Sequence, residues 1–159
     1  YGIALEKAYP ALLEKKLKAA QKDIKVINAG SSGSTSASAE SRLQWQLKSK
    51  PDILILALGA NDGLRGLPPQ NTFDNLAKAI ELAQKNNLKI ILTGMMMPQN
   101  YGEDYRKKYS ATFTDLAKKY KVTLVPFLLE GVAMKKELNL ADGIHPNEKG
   151  HEVIAERLL

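Results

Sequence analysis

The sequence contains no cysteine, and that absence excludes a disulfide scaffold, a thiolate metal site and a cysteine nucleophile together. It leaves the compartment open, because a stable cysteine-free domain works in the cytosol or outside it. Long apolar runs are missing as well. The longest, Ile53 to Ala60, is strand length and falls far short of the roughly eighteen residues of a membrane-spanning helix. Nor is any basic run interleaved with aromatic side chains, as a stacking platform for nucleic acid requires. The net charge of +6 comes from lysines at polar helix positions, among them Lys15, Lys16, Lys18, Lys118 and Lys119, and reads as a solvated face. No nucleic-acid partner and no stable membrane insertion are expected. Linkers, internal repeats and low-complexity segments are absent too.

What is present is ordinary in proportion. Hydrophobic residues at 44% and charged residues at 25% match a soluble globular protein, and 159 residues suit one domain, 1–159, with a real core. Tyr9, Leu12, Leu13 and Leu17 mark one helix face, with Pro10 suited to its first turn. Lys25–Asn28 reads as a short strand, followed by a loop of small residues, Ala29–Ser34, and a helix near Ser36–Lys48. Ile53–Leu58 is a continuous apolar strand of the kind covered on both faces. After the loop Gly59–Asn71, Thr72 is placed to cap a helix striped by Phe73, Leu76, Ala77, Ile80 and Ala83. Strands at Lys89–Thr93 and Val122–Val125 flank a helix striped by Tyr109, Phe113, Leu116, Ala117 and Tyr120, and a last helix runs from about Asn147. This alternation is the signature of an α/β fold with a mostly parallel central sheet. In such sheets ligands bind beyond the carboxyl ends of the strands, where the unusual loops also fall.

Each of those loops has a chemical reading beside a plain one. In Asn28–Ser36, glycines between a strand and a helix let backbone N–H groups face an anion, although a flexible turn explains them equally. The P-loop lysine and the dinucleotide glycine spacing are both missing there. In Gly59-Ala60-Asn61-Asp62-Gly63 a side-chain amide is placed to donate to developing negative charge, yet Asn-Asp-Gly is also a common turn. In Asp142-Gly143-Ile144-His145-Pro146-Asn147 an acid three residues before a histidine can reach Nδ1, fix the tautomer and make Nε2 a general base. The plain reading is an exposed loop histidine near an unrelated Asp. A metal pair lacks support, since the one other histidine is His151 and no third ligand suggests itself. Met95-Met96-Met97-Pro98 forms an apolar, deformable stretch, with core filling as the plain account of part of it.

Taken together and in this order, these segments resemble the SGNH (GDSL-like) hydrolases, in the branch of bacterial thioesterase I, arylesterase and lysophospholipase enzymes. The segments are Leu58–Gly66, Pro98–Gly102, Val125-Pro126-Phe127 and Asp142–Asn147, and the likeness covers almost the whole chain. It implies a three-layer α/β/α sandwich of flavodoxin-like type, and an esterase, thioesterase or lysophospholipase acting on small acyl or aryl esters. His145 matches the family's general base and Asp142 the acid that orients it. Gly33 matches the backbone donor of the oxyanion hole, and Asn61 its side-chain donor. Ser34 stands where family members often carry Asp. Leu64, Met97, Pro98, Asn100 and Tyr101 fall in loops that line the acyl pocket. No metal or cofactor is implied.

The family's Gly-Asp-Ser-Leu-like block has no match in this sequence, and Tyr1-Gly2 resembles the residues that come directly after that block in the family. The resemblance thus implies a first strand and a nucleophilic serine upstream of Tyr1, with Ser31, Ser32 or Ser34 as the alternative inside the chain. It also implies export to the periplasm or beyond. A hydrolase-like binding module without a nucleophile is the rival from another class, and a phosphate or nucleotide binder using Ala29–Ser34 is a third.

Overall fold

Two apolar runs of the sequence pair side by side. In the computed structural model, which describes residues 2–159, β1 (Ile53–Leu56) and β2 (Lys89–Thr93) run parallel with Ile53 opposite Lys89 and Leu56 opposite Leu92. The strand β3 (Thr123–Val125) joins the far side of β2, giving a parallel sheet of order β1-β2-β3. Parallel neighbours need a crossover, and here helices supply it. The sheet belongs to a compact unit formed by Gly33–Leu128; Leu129–Leu159 and the chain through Ser32 form a second unit.

In the first unit the helices are α2 (Ala39–Gln46), α3 (Ala60–Leu64), α4 (Pro69–Lys85) and α5 (Glu103–Tyr120). The helix α4 packs on α2, α5 and β2. Its stripe does what its spacing predicts: Leu76, Ile80 and Ala83 are fully buried, against Phe113 and Leu116 of α5 and Ile90 and Leu92 of β2 in the same core. Burying a side chain of the Leu, Ile or Phe class contributes about 1.5–3 kcal/mol. Just after β2, Gly94 approaches the chain beyond β3 so closely that a side chain there would overlap the Pro126 carbonyl; its own N–H donates to the Val125 carbonyl.

Three expectations change. Thr72 does not cap α4, which begins earlier at Pro69, where proline's fixed φ and missing N–H suit the first turn. Thr72 lies one turn in, fully buried. The strand β1 is less covered than its composition suggests: Ile53 is 47% exposed, because β1 is an edge of the sheet among the described residues. Lys25–Asn28 joins no ladder among the described residues. A strand needs a partner for its backbone, and here the Val26 N–H donates to the Glu14 carboxylate instead.

In the second unit α1 (Tyr9–Ala19) packs on α6 (Glu148–Arg157), burying Leu13, Ile154 and Ala155. The Asn147 side chain caps α6 by accepting from the Gly150 N–H at 3.1 Å. His151, which the sequence leaves without a role, joins the two helices. Its Nδ1 accepts from the Tyr9 N–H at 3.1 Å, and its ring stacks on Tyr9 with an interplanar angle of 9°.

Burial lowers the His151 pKa below its ordinary 6.5, so the folded state holds the neutral ring. A depressed histidine pKa makes this contribution complete above pH 6.5, and it is lost as pH falls below that value, where the unfolded chain takes up its proton first. Thermal melts are expected to show Tm falling as the pH drops below about 6.5. His151→Gln, which keeps an acceptor without a titrating proton, should flatten that slope. Equal slopes in both proteins would assign the effect to other groups.

Candidate active site

The Asp142–His145 loop is built by turn geometry. Gly143 adopts φ +71°, a left-handed conformation that glycine reaches without strain. The turn closes with the Gly143 N–H donating to the Leu140 carbonyl at 2.9 Å and the Leu140 N–H donating to the His145 carbonyl at 2.7 Å. Asp142 Oδ1 then accepts from the N–H groups of Ile144 at 2.9 Å and His145 at 3.0 Å, leaving Oδ2 2.8 Å from His145 Nδ1. An ionised carboxylate can only accept, so Nδ1 carries the proton and Nε2 holds the basic lone pair. The two backbone donors, His145 first and Ile144 next, and then the imidazole, lower the Asp142 pKa to about 2. The side chains remain 36% and 46% exposed, so the pair is reachable from solvent.

This loop stands on two asparagines. Asn147 Nδ2 donates to the carbonyls of Glu137 at 3.0 Å and Asn139 at 3.2 Å, while its Oδ1 caps α6. The buried Asn139 Nδ2 donates to the carbonyls of Val132 and Lys135, both at 2.8 Å. Asn139 is invisible to motif reading, since its role depends on a turn formed elsewhere.

Gly33 and Asn61 lie in the Gly33–Leu128 unit and are tied to one short loop. Gly33 is exposed with φ +75°, and its carbonyl accepts from the Arg65 guanidinium at 3.0 Å. Asn61, in α3, donates from Nδ2 to the Ser34 carbonyl at 3.0 Å. That bond uses one amide hydrogen and orients the other.

Beneath them sits Asp62, 1% exposed. Its Oδ2 accepts from the Ser36 N–H at 2.8 Å, and its Oδ1 accepts from the Ser36 hydroxyl and, at 3.4 Å, from the Thr72 hydroxyl. Asn75 Nδ2 completes the cluster by donating to Ser36 Oγ at 3.0 Å. Sequence reading places Asp62 after the strand but gives it no task. The signal was its position directly beside Asn61.

The residues expected at the acyl pocket spread over several environments. Leu64 and Tyr101 are half-buried, Pro98 and Asn100 are exposed, and Met97 is buried. The three methionines alternate as an extended chain dictates, with Met95 and Met97 inward and Met96 51% exposed. The Met97 thioether occupies the notch above Gly63, where any side chain would collide with it. Ser31 and Ser32 are exposed, and Ser34 is half-buried.

Comparisons with known proteins agree on one family. A model of the GDSL-like Lipase/Acylhydrolase family matches residues 1–153. The arylesterase of Vibrio mimicus is 37% identical over 157 residues, covering 98% of this chain and 78% of that protein. Thioesterase 1/protease 1/lysophospholipase L1 of Escherichia coli K12 is 38% identical over 157 residues, covering 98% of this chain and 74% of its own length. Among solved structures, the psychrotrophic esterase EstA from Pseudoalteromonas sp., inhibited by monoethylphosphonate, superposes with a TM-score of 0.94 at 35% identity. The match covers 99% of this chain and 87% of that one.

Asp62→Ala leaves the Ser36 N–H, the Ser36 hydroxyl and the Thr72 hydroxyl without their acceptor. Chemical denaturation is expected to show a loss of about 2–4 kcal/mol. A change below about 1 kcal/mol would mean that the loop is held by other contacts.

Proposed function

Because this chain belongs to the GDSL-like lipase/acylhydrolase family and is a carboxylic ester hydrolase, we propose that His145, Asp142, Gly33 and Asn61 divide the work of a serine-dependent acyl transfer to water. The observation that carries this reading is the Asp142–His145 pair, whose 2.8 Å contact leaves a basic Nε2 on a solvent-reachable loop. Nε2 takes the proton of the serine hydroxyl as its oxygen bonds to the ester carbonyl carbon. Negative charge moves to the carbonyl oxygen, where the Gly33 N–H and the second Asn61 amide hydrogen act as donors. The imidazolium returns its proton to the departing alcohol or thiol as the old bond breaks. Water then repeats the sequence on the acyl-serine.

The nucleophile in this reading is the serine of the family's Gly-Asp-Ser-Leu-like block, carried by a segment upstream of Tyr1. The edge of β1, which is unpaired among the described residues, supports it, since an apolar parallel strand with a free edge can accept another strand. The substrates are small acyl or aryl esters, and Leu64, Met97, Pro98, Asn100 and Tyr101 receive the acyl part. Export to the periplasm or beyond belongs to the same reading; among the described residues no helix is long and apolar enough to cross a membrane.

Steady-state kinetics on a short-chain ester test the assignments. His145→Ala abolishes turnover, and Asn61→Ala lowers kcat by about 10²–10³-fold with a much smaller change in KM. Undiminished activity in either variant removes that residue from the mechanism. Labelling with a fluorophosphonate and mapping the modified peptide locates the nucleophile: the adduct is expected on a serine outside residues 1–159. An adduct on Ser31, Ser32 or Ser34 would overturn that placement.

A further inference from the structure

A helix of five residues has no stability of its own, so α3 keeps Asn61 in place only because its surroundings hold it. Asp62 ties one side of α3 to Ser36 and Thr72. The other side is tied by an aromatic ladder on α5 and the turn before it. Tyr101, Tyr105, Tyr109 and Phe113 recur every four residues and stand on one face, with successive ring centroids 6.2, 5.6 and 5.7 Å apart. Each tyrosine hydroxyl reaches a carbonyl of the α3 segment. Tyr109 donates to Gly59, just before the helix. Tyr101 donates to Leu64, its last residue, at 2.8 Å. Tyr105 donates to Leu67 at 2.8 Å, with a longer contact of 3.3 Å to Gly63.

Carbonyls at the end of a helix lack partners within it, and here phenol hydroxyls supply them. No slack separates the two elements, because a side chain at Gly63 would meet both Met97 and the Tyr109 ring. Arg106 fixes the Met97 side of this contact by donating from Nε to the Met97 carbonyl at 3.0 Å. Burial foremost, with Asp62 and Tyr101 adding, raises the Tyr105 pKa, so its hydroxyl stays a donor at neutral pH.

We propose that Tyr105 is a positioning residue: its hydroxyl anchors α3 to α5 and thereby aims the Asn61 amide, without touching the substrate. The proposal rests on the reading of Asn61 as an oxyanion donor. It differs from mere structural support in what it predicts. A tilt of α3 weakens a bond made in the transition state and leaves ground-state binding nearly intact.

Tyr105→Phe keeps the ring in the ladder and deletes only the hydroxyl. In the active enzyme, with a neutral short-chain ester, kcat is expected to fall about threefold to tenfold with KM within about twofold. In an Asn61→Ala background the same deletion should cost less than about twofold, because the amide it aims is gone. Equal losses in both backgrounds would overturn the proposal, as would a rise in KM at unchanged kcat. An Asn61→Ala enzyme as active as the parent would take down the reading of Asn61 first, which separates the two failures. If Tyr105→Phe does not fold, Tyr109→Phe, which removes the bond to the Gly59 carbonyl from a residue outside the acyl pocket, carries the same cycle.

Discussion

The carboxylate of Asp62 is the constraint on which the Gly33–Leu128 unit turns. Taking a carboxylate out of water costs several kcal/mol unless its lone pairs are answered, and Asp62 is answered by Ser36 and Thr72. Those donors enter from the approach to α2 and from the first turns of α4, while Asp62 itself rides on α3. One side chain therefore locks three segments to the end of β1. The bonds above it, Asn61 to Ser34 and Arg65 to Gly33, attach the loop to a base already immobile.

The Asp142–His145 pair is secured by the opposite strategy. It lies at the surface, where a solvated carboxylate–imidazole contact contributes little stability. Its order comes from backbone N–H groups that hold the carboxylate and from a turn that brings the imidazole back over it. Such a pair keeps its geometry while staying open to a reacting hydroxyl. The exposure that makes it weak as a stabilising contact is what the general-base role proposed for His145 requires.

Much of this was legible in the residues. The stripe Phe73, Leu76, Ala77, Ile80 and Ala83 announces α4 by period alone, and Asp142-Gly143-Ile144-His145 announces its turn by spacing. What stayed hidden depended on partners distant in sequence. Thr72 has the chemistry of a cap, and only the position of Asp62 turns it into a buried donor. Lys25–Asn28 has strand composition, but pairing is a property of two strands. Tyr105 carried a usable signal, four residues from both Tyr101 and Tyr109, yet its hydroxyl partners lie on another element and no periodicity reveals them. Family membership, by contrast, can be read from four short segments taken in order, and the comparisons agree with it over nearly the full chain.

The methionine run carries a last consequence, in redox terms. Met96 is the solvent-facing member of the three, and a sulfoxide there adds a polar oxygen to a surface that hydrates it freely. Met97 is shielded, and its sulfur fills the notch between α3 and α5. An oxygen on that sulfur has little room there, so it would push α3 outward, and Asn61 with it. Oxidation within this run is thus graded by geometry: Met96 is reached first with little consequence, and Met97, once reached, disturbs the helix that carries Asn61.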